Sequence, residues 1–341
     1  MTSPAADPAA PELCLPPAEK PGGSGDPGGP GNPAGPARRI PAAVWAALGI
    51  VYVVWGSTYL GIRIVVETLP PFLSAGTRFV AAGLILAGII AWRQGPAALK
   101  VTPRQLASAV GVGLLLILGG NGLVVLAETS IPSGLAALLI AVVPAWVVIL
   151  KALSGTRPTA GGLAGVLLGL VGLGVLTLPG LSGDVKVGGV LLVVAATLCW
   201  SVGSFSSSRL PMPGNPFTAS AYEMIAGGLA GLGVGLVRGE QHGLDLAAVS
   251  GRSWGALAYL VVFGSLLAFT AYAWLLQAAP LSLVATYAYV NPVVAVALGA
   301  LVLNEAVTWS IALGGAIVVG GVCLIVSTER RGSGSTPRAR T

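Results

Sequence analysis

PFLSAGTRFVAAGLILAGIIAWR, residues 71–93, and PFTASAYEMIAGGLAGLGVGLVR, residues 216–238, are one stretch written twice. Laying 71 on 216 superposes Pro71 and Phe72 on Pro216 and Phe217, Gly83 and Leu84 on Gly228 and Leu229, Gly88 on Gly233, and Arg93 on Arg238. The same offset puts Trp55 on Trp200. Further along, an offset three residues longer pairs Pro132 with Pro280, Leu135 with Leu283, Ala137 with Ala285, Pro144 with Pro292 and Leu153 with Leu301. Each copy sits in a run of five apolar segments of about 20 residues, the length that crosses a hydrocarbon core. The predicted spans are 41–62, 71–92, 104–127, 131–152 and 159–178, then 187–208, 216–237, 254–276, 281–303 and 307–327. Because five is odd, the second copy enters the membrane from the opposite side. The expected fold is an all-α integral membrane protein of ten transmembrane helices, arranged as two inverted five-helix repeats over 41–180 and 186–328, which is transporter architecture.

Composition agrees. Only 9% of the residues are charged and 55% are hydrophobic, whereas soluble domains carry about a quarter of their residues as charges. Residues 1–40 are rich in Pro, Gly and Ala with no apolar period and read as a disordered tail. They make no secretory signal, because the first apolar run continues for a full span. Residues 329–341 form a short basic tail. With the N-terminus inside, most of the Lys and Arg residues, including Arg38, Arg39, Arg93, Lys100, Arg104, Lys151, Arg157, Arg209, Arg330 and Arg331, fall in inner segments, so both termini are expected in the cytoplasm. The net charge of +6 is spread over separate loops without interleaved aromatics, which argues against nucleic acid. Cys14, Cys199 and Cys323 have no paired spacing, so neither a disulfide nor a metal site is expected. An enzyme is disfavoured too, since His242 is the one histidine and no HExxH motif is present.

Several residues stand out at membrane depth. Rows of small residues, Gly161, Gly165 and Gly169, then Gly227, Gly231 and Gly235, then Ala312, Ala316 and Gly320, suit close helix contacts within the chain or a homodimer face. Pro144 and Pro292 occupy repeat-related positions inside spans, where each frees a backbone carbonyl, and are read as helix kinks lining a pathway. Arg78 and Glu223 occupy one repeat position, each roughly 10 Å into its span at 1.5 Å per residue. Intramembrane charge is costly and marks interiors or cavities. Arg78 is therefore a candidate for an anionic substrate group and Glu223 for proton coupling, with structural pairing as the alternative for both. Trp55 and Trp200 lie mid-span, away from the interfaces where Trp usually anchors helices. Asn121, Ser133, Tyr287, Tyr289 and Asn291 complete the candidate pathway set, with helix-to-helix hydrogen bonding as the competing reading. Glu67, Glu128 and Glu305 fall near outer span ends and read as solvated helix-end residues.

The run WGSTYL at 55–60, VETLPPFL at 66–73 with Arg78 following, GGNGLVVLAE at 119–128, IPSGLAALL at 131–139, YVNP at 289–292 and LNE at 303–305 together resemble EamA-domain proteins of the drug/metabolite transporter superfamily, and within it the YedA-like exporter branch. That resemblance covers about residues 42–328. It implies a carrier of the bacterial cytoplasmic membrane, without a cofactor, that exports amino acids, other metabolites or drug-like compounds by rocking its two repeats around a central cavity. One departure is visible: where the family often has an acidic residue before the fifth span, matching Glu305 before the tenth, this chain reads Gly155-Thr156-Arg157. The expected function is thus secondary export of a small metabolite, in exchange for protons, with a facilitated permease, an importer and a non-transporting membrane sensor as alternatives.

Overall fold

The protein is described here by a computed structural model, which covers residues 41–155, 160–181, 186–279, 284 and 287–332. Among these residues there is no strand. The helices are α1 (Ala42–Val65), α2 (Pro71–Gln94), α3 (Pro103–Ala127), α4 (Ser133–Leu153), α5 (Ala160–Leu181), α6 (Val187–Ser207), α7 (Pro216–Val237), α8 (Gly251–Leu275), α9 (Tyr287–Leu303) and α10 (Trp309–Gly332). Seven of them, α1 to α4 and α6 to α8, are long and apolar enough to cross a membrane; α5, α9 and α10 supply the shorter apolar stretches Ala160–Gly172, Val290–Leu303 and Trp309–Gly321.

Local chemistry fixes the starts. Proline opens α2, α3 and α7 at the position where its missing N–H costs no bond. Thr102 and Gln105 form a reciprocal capping box ahead of α3, and the Asn215 side chain accepts from Phe217 N at the head of α7.

Packing repeats with the sequence. Helix α2 lies on α7 and α5 on α10, while α1 packs on α8 and α9 just as α6 packs on α3 and α4. Exchanging the two halves leaves this pattern unchanged. Glycine makes the first seam: a Cβ at Gly76 would stand 2.8 Å from the Gly228 carbonyl oxygen, and one at Gly228 would stand 2.7 Å from the Val80 nitrogen. Gly172 meets Gly314 and Val318 in the α5–α10 seam, where Gly321 meets Gly165. Of the small-residue rows, Gly227, Gly231 and Gly235 do face protein, against Ile117, Gly76 and Leu73. The row Ala312, Ala316 and Gly320 turns outward instead; the helical period puts Gly314, Val318 and Gly321 on the packed face. Repeat mates Leu84 and Leu229, and Leu153 and Leu301, are all exposed, as suits a surface wetted by hydrocarbon rather than water.

Two features go beyond regular α-helix. Leu114–Gly122 of α3 and Leu260–Leu267 of α8 are π-helical, at overlapping positions when the halves are aligned. Helix α4 is interrupted at Ala141 and Val142, so that Pro144 opens its second half, whereas Pro292 sits within the continuous α9.

Candidate functional site

A pocket opens between the two halves, walled by α1, α2, α3 and α4 from the first and α6, α8 and α9 from the second. Its apolar wall is aromatic. Trp55 meets Trp200 and Tyr287 edge to face, with ring centres 5.8 Å and 5.4 Å apart, and meets Tyr272 at a tilt, 4.8 Å away. Phe269 and Trp200 also pack edge to face, with ring centres 6.5 Å apart. The edge-to-face geometry sets the positive rim of one ring against the negative face of the next. The Trp55 Nε1 donates to the Gly264 carbonyl at 3.2 Å, a carbonyl within the π-helical turn of α8. Such turns are frequent at functional sites; here the turn holds an indole in orientation.

The charge in this wall is Arg78, buried on α2. Its Nε donates to Ser265 Oγ at 2.8 Å, its guanidinium lies 4.6 Å from the Phe79 ring centre, and its Nη1 has no hydrogen-bond partner. A buried guanidinium with a free donor has forgone hydration without full compensation. It is therefore suited to accept an anionic oxygen that enters the pocket.

Of the residues singled out in the sequence, Trp55, Arg78, Asn121, Trp200 and Tyr287 line this pocket. The Asn121 amide is partly engaged, Nδ2 donating to Leu116 O at 3.4 Å. Asn291 is buried off the pocket wall; with its amide oriented so that the nitrogen faces the two acceptors beside it, it donates to the carbonyls of Tyr52 (3.1 Å) and Tyr287 (3.2 Å) and ties α9 to α1. The Tyr289 side chain lies outside the described residues. Ile140, just before the break that Pro144 follows, lines the pocket, and neither Pro144 nor Pro292 is in its wall. Glu223 is buried on α7, where its backbone abuts Gly113 of α3, and it is not in the pocket wall.

Ser133 is elsewhere. It is fully buried at the head of α4, where its N–H and hydroxyl and the Gly134 N–H all donate to the Glu305 carboxylate at 2.9–3.3 Å. Glu240 does the same for α2, accepting from Phe72 N and Leu73 N at 3.0 Å. Both carboxylates meet the positive end of a helix dipole. Replacing Glu305 with alanine is expected to lower stability by about 1–2 kcal/mol, read as an earlier thermal unfolding transition of the purified protein.

Four residues in or beside the pocket wall were not anticipated. Tyr59 follows Trp55 by four positions and so shares its face; that spacing was the available signal. Phe269 and Tyr272 share a face of α8, but nothing in their apolar surroundings marked them. Glu128, beside the pocket and not in its wall, is the fourth. It is fully buried, and neither carboxylate oxygen has a hydrogen-bond partner.

A bundle of paired apolar helices around an aromatic pocket with one buried charge is the build of a membrane carrier for small molecules. The chain belongs to the EamA-like transporter family, whose pattern it matches twice, over residues 42–178 and 187–327. It is 37% identical over 258 residues to the "Uncharacterized inner membrane transporter YedA" of Escherichia coli K12, covering 75% of this chain and 81% of that protein. An "Uncharacterized transporter" of Archaeoglobus fulgidus is 24% identical over 285 residues, 83% of this chain and 97% of that one. A crystal structure of a further protein superposes with a TM-score of 0.61 at 21% identity, over 85% of this chain and 98% of the other, a likeness of fold alone.

Proposed function

We propose that this chain is a secondary carrier that exports small amphipathic metabolites, amino acids or drug-like aromatic compounds, across the bacterial cytoplasmic membrane by alternating access and with proton coupling. In this reading ten spans form two inverted five-helix units, 41–180 and 186–328, with both tails in the cytoplasm. The observation that carries it is the pocket between the halves: aromatic faces to accept an apolar body, and Arg78 Nη1 free to receive a carboxylate. Pockets of this kind, apolar with a few placed polar groups, bind small molecules.

The test is flux. Purified protein in liposomes with an imposed pH gradient is expected to move labelled aromatic amino acids or aromatic carboxylates faster than empty vesicles. Glu223 remains a coupling candidate, because a buried intramembrane carboxyl that forms no ion pair among the described residues is a natural proton acceptor. Glu223→Gln is expected to abolish the response to the pH gradient while substrate exchange continues; loss of neither would remove it from that role. Flux indifferent to the gradient would make the protein a facilitator, and binding without flux a sensor.

A further inference from the structure

Glu128 directly follows α3 and is 0% exposed, with both side-chain oxygens unpartnered. The charged and titratable groups around it are Arg63 and Tyr59 from α1, Arg78 from α2, and Glu305 from the segment before α10. None of them bonds to the carboxylate. The Arg63 Nη1 donates to the main-chain carbonyl of Glu128 instead, Arg78 donates to Ser265, and Glu305 is held by Ser133 and Gly134. An ionised carboxylate so placed has lost its water and gained no hydrogen bond, which a neutral acid tolerates far better.

The same arrangement couples Glu128 to the pocket. Its charge acts on Arg78, the guanidinium that faces the pocket with Nη1 unpaired. A negative Glu128 weakens the field that an incoming anion meets there, and a neutral Glu128 leaves it whole.

We propose that Glu128 is a proton-binding site whose occupancy is linked to carboxylate binding at Arg78, so that the carrier takes up a proton together with an anionic substrate. The proposal rests on the aromatic-carboxylate reading of the pocket. Burial, and after it the nearby Glu305 carboxylate, hold the Glu128 carboxyl well above the usual carboxylate range, against the opposing pull of Arg63 and Arg78. Linkage is reciprocal: a bound anion raises the proton affinity of Glu128 as much as the proton raises the affinity for the anion. Proton and anion then travel in one direction. Export of an accumulated acidic metabolite down its own gradient carries a proton outward, which replaces exchange as the sense of coupling.

Two measurements on the purified full chain test this. Infrared difference spectra across a pH step should show the C=O stretch of a protonated carboxylic acid that Glu128→Gln removes; Glu128→Asp, which keeps the acid, should shift that band, and serves if the glutamine variant does not fold. Phenylacetate binding, followed from neutral to alkaline pH, should weaken by up to about tenfold per pH unit once Glu128 ionises. In Glu128→Gln it should stay flat, near the low-pH affinity of the parent. A pH dependence that persists in Glu128→Gln, or the absence of any Glu128-dependent acid band, overturns the proposal. Failure of phenylacetate to bind either folded protein, with the band still present, overturns the linkage through the pocket reading and not through Glu128.

Discussion

Arg78→Ala is expected to weaken binding of aromatic carboxylates by about 30-fold to several thousand-fold, the equivalent of roughly 2–5 kcal/mol for truncating one partner of a buried charged contact. The wall supplies the apolar contacts, but Arg78 Nη1 is its unpaired buried cationic donor among the described residues, so the loss falls on carboxylates and spares neutral aromatic analogues. Arg78→Lys should recover little. A lysine keeps a point charge but lacks the planar fork, and the bond from Nε to Ser265 is lost with it. Stability provides the control. The substitution relieves a buried donor without a partner, so the thermal transition should hold or rise; a collapse alongside the lost binding would make Arg78 structural.

Gly228→Leu is expected to break the fold, at a cost of about 4 kcal/mol or more, the range reserved for severe overpacking of a core. The obstacle is backbone on the facing helix. A Cβ there would stand 2.7 Å from Val80 N and 2.9 Å from Gly76 O, and no rotamer change moves either, so α2 and α7 must separate. Helix α7 has no room to retreat, since Gly227 on its other side already presses on Gly113. Loss of a monodisperse peak in size-exclusion chromatography would report it. Gly233→Leu on the same helix meets nothing within 4 Å and should behave as the parent does.

These expectations come from different depths of the sequence. The helical architecture and the pairing of halves were legible because hydropathy and a repeated glycine and proline pattern are written in side chains. So was part of the pocket: charge, amide, indole or phenol at membrane depth flagged Trp55, Arg78, Asn121, Trp200 and Tyr287. Phe269 and Tyr272 were not, because an aromatic in an apolar helix looks the same facing lipid or cavity until the neighbouring helices are placed. Glu128 was misjudged for a related reason. Its distance along the chain put it at a helix end, where water is near, while α1 and the segment before α10 close over it. The π-helical turns of α3 and α8 shift the register of backbone bonds and leave no mark in the side-chain pattern. Ser133 was legible as polar, but which carboxylate would claim it depended on residues far along the chain.

Glu240 and Glu305 both belong to the second half and both grip helices of the first, α2 and α4. Exchanging the halves puts Gly95 and Arg157 in their places, and neither has an acceptor side chain. On the proposed alternating-access reading, the two conformations that a perfect repeat would make interchangeable are chemically distinct, one held by a pair of carboxylate clasps that the other lacks. On that reading these few side chains, and not symmetry, set the resting population, and the carrier waits for its cargo with one side preferred.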